Sequence, residues 1–174
     1  MRVERKKQIE QAAQMIRDAL HLENERIDID EVVYKGLGGE IERVDSRVKH
    51  AKVKKVGERS FLIEINGTHS STRQRISIAQ EMGHLFLHMQ YLTEGWDRIK
   101  DGVSYNNILG SRTELEQEAN VFAVAFLMPE VGFKETAEKM LGQDGYYDLD
   151  AIAKYYDVSI DAVIYRGKNI GIWN

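Results

Sequence analysis

The chain has 174 residues, a formal net charge of −4 and a pI near 5.8. Hydrophobic residues make up 43% and charged residues 30%, which is typical of a folded globular protein and excludes disorder as the default. The absence of cysteine excludes disulfides, thiol catalysis and thiolate metal sites. The acidic balance also argues against broad contact with the phosphates of nucleic acid.

The N-terminus is charged and leads into no apolar segment, so no secretory signal is predicted. The longest apolar run, residues 119–128, is too short to cross a bilayer. We therefore expect a soluble cytoplasmic protein without a membrane partner. Its length predicts a single domain over residues 1–174, in which residues from about 145 to 174 form a small C-terminal helical extension.

Hydrophobic periodicity in the first third of the chain predicts helices followed by strands. Apolar residues at helical spacing predict a helix over residues 3–22, and a short helix begins near residue 30 with Asp28 or Asp30 as its cap. Alternating apolar and polar residues predict strands at residues 40–45, 51–56 and 61–66, and two, three or four strands fit this stretch. We expect a small, mainly antiparallel sheet whose lysine and arginine side chains face solvent.

Two stronger helices are predicted after the strands, at residues 72–90 and 111–128. The first contains Gly83, which is unfavourable in a helix interior by roughly 1 kcal/mol relative to alanine. We therefore expect a strand or helix to pass close to its backbone. Pro129 ends the second helix. Residues 93–111 between them predict a long loop, and loops of this length act as lids or binding loops or are simply mobile.

The chain ends in a predicted helix over residues 130–142 and two short helices over residues 149–166, which resemble a helix-turn-helix unit. DNA binding through this unit would require positive surface. Residues 145–174 contain four Asp against two Lys and one Arg, a net charge of 3 − 4 = −1. We therefore predict no direct DNA binding and expect these helices to pack on the protein or to contact a partner.

The segment Gln80-Glu-Met-Gly-His84 carries most of a zinc-hydrolase motif on the first strong helix. In the full motif, His-Glu-x-x-His, two imidazoles four residues apart share a helical face and bind one ion, and the glutamate deprotonates metal-bound water. Glu81 and His84 occupy the positions of the general base and the second ligand. The first ligand position, however, is Gln80.

A zinc hydrolase site needs three protein ligands and an open position for water. The candidates for the third ligand are carboxylates on the next strong helix, Glu114, Glu116 and Glu118. Glu118 stands where that helix changes from charged to apolar, and a carboxylate that enters an apolar stretch needs a partner such as a metal ion. Tyr105 in the long loop is a candidate donor to a developing oxyanion.

Two motifs in this order resemble those of the ImmA/IrrE family of metallopeptidases: Arg75-x-Ser-Ile-Ala-x-Glu-x-Gly-His-x-x-x-His88 and Glu116-Gln-Glu-Ala-Asn-x-Phe-Ala-x-x-Phe-Leu-Met-Pro129. The resemblance implies an α+β, zincin-like core in which the sheet packs against a helical bundle. It also implies that Gln80 takes the first zinc-ligand position, Glu81 is the general base, His84 is the second ligand and Glu118 the third. Family members cleave helix-turn-helix repressors of mobile elements, such as phages, or of stress regulons, so a repressor is the implied protein substrate.

The glutamine leaves the catalytic state open. Glutamine is a neutral and rare zinc ligand, so one hypothesis is a peptidase with a weak zinc site formed by Gln80, His84 and Glu118. A second is a non-catalytic pseudoprotease, without zinc, that binds a repressor or another partner. A third is that the glutamine was introduced into a natural peptidase sequence. His88 is also four residues from His84, so these two histidines could form the ligand pair. Leu85 would then stand at the position of the base, so we predict that His88 orients a metal ligand by contacting it or simply packs.

Overall fold

The computed structural model describes residues 1–45, 50–105 and 112–173. In this part of the chain an α+β fold is formed by eight α-helices, two π-helical turns and three strands. The α-helices are α1 (Val3–Ala19), α2 (Ile29–Glu31), α3 (Ser71–Gly83), α4 (Glu94–Asp97), α5 (Arg112–Leu127), α6 (Glu130–Lys139), α7 (Leu149–Tyr156) and α8 (Ile160–Asn169). The strands are β1 (Glu40–Val44), β2 (Lys52–Gly57) and β3 (Ser60–Asn66), and the π turns are Val32–Gly36 and His84–His88. None of the helices in these ranges is long and apolar enough to span a membrane.

Local capping signals fix the starts of two helices that border the functional region. Asp28 caps α2, because its carboxylate accepts hydrogen bonds from the backbone N–H groups of Asp30 and Glu31. Ser70 caps α3 by accepting a hydrogen bond from the N–H of Arg73. Of the two caps considered for α2, Asp28 is therefore the one used.

The sheet has the strand order β1-β3-β2 and is mixed. β2 and β3 form an antiparallel pair, whereas β1 pairs with β3 in parallel, with Ile41 opposite Ile63. The parallel β1–β3 pair corrects the expectation of a mainly antiparallel sheet. The tight connection from Gly57 to Ser60 permits only the β2–β3 hairpin, while the longer connection after β1 lets that strand lie on the opposite side of β3.

Lys55 corrects a second expectation, that the lysines of the strands face solvent. Lys55 is only 5% exposed, and its Nζ donates a hydrogen bond to the carbonyl of Trp96 at 3.0 Å. The ammonium also lies 5.0 Å from the centre of the Trp96 ring. The carbonyl and the ring together replace the water that burial removes.

The predicted loop over residues 93–111 is partly ordered into secondary structure. Trp96 belongs to α4, which lies within this range, and Ser104 forms an isolated antiparallel bridge with Lys54 of β2. Part of this segment therefore covers the edge of the sheet. Residues 106–111 of the predicted loop lie outside the described residues.

The two central helices, α3 and α5, approach each other closely at Gly83, as its position in a helix interior predicted. A Cβ atom added at Gly83 would lie 2.9 Å from Cα of Ala119 and 3.2 Å from Cβ of Phe122. Both partners belong to α5, so the close neighbour is a helix. The contact holds α3, which carries Glu81 and leads directly into His84, against α5.

The C-terminal helices pack against the preceding ones. Arg166 of α8 is buried and donates from Nε to the carbonyl of Met128 at 2.8 Å. The Tyr156 hydroxyl of α7 lies 3.2 Å from that of Thr136, and its ring stacks on Phe133. The helix-turn-helix-like pair therefore uses one face to cover α5 and α6.

Replacing Gly83 by valine should destabilise the fold by about 2 kcal/mol or more, because backbone atoms of α5 occupy the space the side chain needs. Gly57→Val is the matched control, since an added Cβ there meets its nearest neighbour, Cβ of Ser60, at 3.5 Å. Urea unfolding of both variants and the parent measures the difference. Equal midpoints for the two variants would contradict the close approach.

Candidate active site

The residues of the zinc-hydrolase motif lie on the last turns of α3 and on the π turn that follows. Glu81 and His84 are buried, with 4% and 0% exposure. In the π turn the N–H of Met89 bonds to the carbonyl of His84, five residues earlier. The widened turn brings the His84 and His88 rings together, with their Nδ1 atoms 2.9 Å apart. His88 therefore contacts the nitrogen of His84 on the side away from Nε2.

A chain of hydrogen bonds fixes which nitrogen of His84 carries the proton. Nε2 of His88 lies 3.3 Å from Oε2 of Glu118, which as a carboxylate can only accept, so His88 carries its proton on Nε2. Nδ1 of His88 must then accept from Nδ1–H of His84. As a result, Nε2 of His84 presents a lone pair, as a metal-binding imidazole does. This nitrogen is buried and has no hydrogen-bond partner in the described chain.

Burial keeps both imidazoles neutral. It lowers the pKa of His84 to about 3, with a smaller contribution from His88. Burial also lowers the pKa of His88, and the hydrogen bond to Glu118 opposes this. Neutral imidazole is the form that binds metal ions, so at neutral pH His84 is in the state that a ligand requires.

Glu116 is the carboxylate that faces the lone pair of His84. Its Oε2 lies 3.6 Å from Nε2 of His84. The Tyr105 hydroxyl donates to Oε1 of Glu116 at 2.8 Å, and the Tyr105 ring stacks on His84 with a centroid distance of 3.5 Å and an angle of 9°. Tyr105, which the sequence indicated only as a candidate oxyanion donor, thus forms one wall of the site and orients Glu116.

Glu118, which the family resemblance assigns to the third ligand position, is engaged elsewhere. Arg5 of α1 donates from Nε and Nη2 to its two oxygens at 2.7 and 2.5 Å, and His88 contacts Oε2. The hydrogen bond from Arg5 is the main reason that the pKa of Glu118 is lowered. Sequence reasoning missed Arg5, because a contact between residues 113 positions apart leaves no local pattern.

Gln80 occupies the position of the first histidine of the motif, on the α5-facing side of α3. It is half-buried, and its side-chain amide donates to Oδ1 of Asn120 at 3.3 Å. The glutamine therefore joins the two helices by an amide–amide contact. An amide in this role is neutral and contributes no imidazole to the centre.

Glu81 is held in its neutral form at pH 7. Burial, with a smaller contribution from the nearby Glu116, raises its pKa to about 8, and a hydrogen bond with the backbone of Val53 opposes the shift. Oε2 of Glu81 has no hydrogen-bond partner in the described chain. Val53 lies on β2, so Glu81 connects the helix to the edge of the sheet.

The donor set falls one ligand short of a zinc centre. A catalytic zinc site uses three protein ligands, whereas the described residues contain no group of three His, Cys, Asp or Glu side chains that could hold a metal ion. His84 and Glu116 provide an imidazole and a carboxylate 3.6 Å apart. Gln80 stands where the second imidazole is needed, so the residues as they stand do not fit the zinc ion that the resemblance implies.

A cavity of about 270 Å³ opens beside this centre. Gln80, Glu81, Tyr105 and Glu116 line its inner end, and Arg73 lies on its wall. The cavity is large enough for one side chain or a short stretch of extended polypeptide. It therefore offers a binding cleft between α3, α5 and the edge of the sheet.

A glutamate and a histidine one helical turn apart, next to a small sheet and opposite a carboxylate on a second helix, define a metallopeptidase-like fold. The family model Peptidase M78, the IrrE N-terminal-like domain, matches residues 40–168. The chain belongs to this family. α1, which carries Arg5, lies outside the matched residues.

The fold is also similar to that of a solved transcriptional regulator from Mycobacterium tuberculosis, with a TM-score of 0.61 and 18% sequence identity. The likeness covers 91% of this chain and 46% of the regulator, so this chain spans about half the length of that protein. At this identity the likeness shows a shared fold. A comparison with curated proteins gives no match.

The raised pKa of Glu81 predicts a pH-dependent stability in metal-free protein. The folded pKa of about 8 exceeds the ordinary glutamate pKa of 4.5 that applies in the unfolded chain, so folding favours the protonated form. Deprotonation of Glu81 therefore lowers the free energy of unfolding. This loss is absent below about pH 4.5, grows by roughly 1.4 kcal/mol per pH unit as the pH rises toward 8, and is then constant. Glu81→Gln should remove this slope, so the variant should gain stability over the parent between pH 5 and 8.

Urea unfolding at several pH values, with chelator present, measures this difference. Glu135→Gln, at an exposed position of α6, is the control and should follow the parent. Parallel pH profiles for the parent and Glu81→Gln would contradict the assignment of a neutral, buried Glu81.

Proposed function

We propose that this chain is a peptidase-fold regulator that binds a repressor-type protein in the cleft beside Glu81 and His84 and does not cleave it. The observation that carries the proposal is the donor set, in which Gln80 contacts Asn120 and replaces the imidazole that a zinc centre needs. The fold and the cleft are retained while the metal centre is one ligand short. Such a combination supports recognition of a former substrate without hydrolysis.

A protein partner is supported by the family and by the shape of the site. The family resemblance implies a helix-turn-helix repressor as the partner, and the similar solved structure is named a transcriptional regulator. The cleft of about 270 Å³ suits a polypeptide segment. DNA is a weaker candidate, because the helix-turn-helix-like pair covers α5 and α6 and its segment carries a net charge of −1.

The second candidate is a zinc-dependent peptidase, with Glu81 as the base. Two buried atoms favour it: Nε2 of His84, which presents a lone pair, and Oε2 of Glu81, both without a hydrogen-bond partner in the described chain. Leaving buried polar atoms unsatisfied costs about 1–3 kcal/mol each, so such atoms point to a function. The two candidates differ in one residue, and exchanging that residue distinguishes them.

Gln80→His should convert the site into a zinc centre, because it completes the set of two imidazoles and one carboxylate. We expect near-stoichiometric zinc in the variant purified without chelator, little zinc in the parent, and loss of zinc from the double variant Gln80→His, His84→Ala. Elemental analysis and calorimetric titration with zinc measure this. Tight zinc binding by the parent would instead support the peptidase candidate, and no gain in the variant would refute the ligand positions.

The partner is tested by titrating the parent with purified helix-turn-helix repressors encoded in the same genome. We expect one of them to bind without being cut, and to be cleaved by the zinc-loaded Gln80→His variant, as read by mass spectrometry. Ser77→Trp fills the cleft from α3 and should weaken binding. If no repressor binds, or if Ser77→Trp binds as well as the parent, the proposed cleft is wrong.

Two carboxylates remain candidates for the third ligand. The resemblance assigns Glu118, whereas the 3.6 Å distance to His84 favours Glu116. Both oxygens of Glu118 already accept hydrogen bonds from Arg5. In the Gln80→His background we therefore expect Glu116→Ala to abolish zinc binding, and Glu118→Ala to weaken it through His88. The reverse order of the two zinc affinities would restore Glu118 as the ligand.

A further inference from the structure

A second cavity, of about 540 Å³, lies on a different face of α3 from the candidate active site. Its walls come from α2, the first turns of α3 and the residue that joins α7 to α8. The α3 residues that line it are Ser71, Gln74, Arg75 and Ile78, and none of them lines the cleft beside Glu81. The two cavities therefore share a helix but no residue of that helix.

Arg75 is a buried cation that has no partner among the residues that the structure describes. It is 6% exposed, and within the described chain its guanidinium forms no hydrogen bond or ion pair, with Nε and Nη2 both unsatisfied. The other buried cationic side chains of the described residues, Arg17, Lys55 and Arg166, each donate to a backbone carbonyl. A buried charge that lacks such a partner is costly, so its retention calls for an explanation.

The carboxylates of the cavity are already engaged with other groups. Asp28 accepts two backbone hydrogen bonds at the start of α2. Asp30 pairs with Arg43 at 2.6 Å. Asp157 accepts from Arg26 at 3.4 Å and from the Thr72 hydroxyl at 3.3 Å. These carboxylates influence Arg75 only from a distance, and none of them bonds to it.

Arg26 adds a second positive group to the same cavity. After burial, the charge of Arg26 is the largest cause that lowers the pKa of Arg75, so the two guanidinium groups repel each other. Among the described residues, Arg26 is held only by its long, exposed ion pair with Asp157, with 52% of its side chain accessible, and such a pair opens at little cost. Ser71, the first residue of α3, also lines the cavity, so the cavity lies beside the N-terminal turn of the helix, where the helix dipole is positive.

We propose that this cavity binds a small oxyanion ligand, a carboxylate or a phosphate group, between Arg75 and Arg26. The anion supplies the missing counter-charge to Arg75 and turns the repulsion between the two guanidinium groups into attraction to a shared partner. Arginine suits both chemistries, because its fork of N–H donors matches the oxygens of either group. Arg5 already shows this pairing in the same chain, where it holds both oxygens of Glu118.

The volume admits more than an inorganic ion. Cavities of about 300–1,000 Å³ are typical of small-molecule sites, and this one falls within that range at about 540 Å³. A bound anion would contact α3, the helix whose other face carries Gln80 and Glu81. The site is therefore placed to let a small molecule act on the stability and position of that helix.

Thermal unfolding at constant ionic strength, with chelator present, tests the proposal with three probes: inorganic phosphate, citrate and AMP. We expect a saturable rise in Tm with at least one probe, over a potassium chloride reference. Arg75→Gln should weaken the fitted affinity at least about tenfold, since a charge-assisted hydrogen bond is lost. Arg73→Gln is the matched control, because it removes the same charge from the same helix at an exposed position that lines the other cavity.

The pattern of responses identifies the ligand chemistry. A response to phosphate and AMP alone indicates a phosphate group, and a response to citrate alone indicates a carboxylate. Arg26→Gln should also weaken binding, and because its side chain is half-exposed this variant keeps the test decisive if Arg75→Gln does not fold. The proposal is overturned if no probe gives a saturable shift, or if Arg26→Gln and Arg73→Gln behave alike. The test requires neither a protein partner nor zinc, so its outcome is independent of the proposed function.

Discussion

The close contact between α3 and α5 is the constraint on which the rest of the structure depends. Gly83 leaves room for the backbone of Ala119, and a single added carbon would lie 2.9 Å from its Cα atom. At this separation Glu81 and His84 on one helix face Glu116 on the other, with the sheet edge beside them. The site is therefore a product of helix packing, and a small residue at one point decides whether its two halves meet.

The same packing buries the charges that give the site its character. Arg5 holds Glu118, Glu118 orients His88, and His88 directs the lone pair of His84 toward Glu116. This chain of hydrogen bonds keeps the His84 imidazole neutral and able to bind an ion. It also engages Glu118, the carboxylate that the family resemblance assigned as a ligand. Gln80 stands where the zinc-hydrolase motif has its first imidazole, and its amide contacts Asn120. A metallopeptidase-like fold with an incomplete donor set is consistent with recognition in the absence of hydrolysis.

The main helices and strands of the fold were predictable, since their sequence signals are local. Helical spacing located α1, α3 and α5, alternation located the three strands, and the motif placed Glu81 and His84 on one helix. The parallel pairing of β1 with β3 was not predictable, because strand order depends on which edge a connection reaches. The burial of Lys55 against Trp96 was missed for a related reason, since the partner lies 41 residues away and in a segment predicted to be a loop.

The sequence by itself determined the family, the motif helix and the presence of Gln80 at the first histidine position of the motif. Each of these depends on residues that lie close together along the chain. Only the tertiary structure decided which carboxylate faces His84, where Arg5 points, and that Arg75 is buried without a partner among the described residues. Glu116 and Glu118 are two residues apart on a helix, so they point in different directions and periodicity alone does not rank them. Their roles depend on what the fold places opposite each one, and that is settled by packing between distant segments.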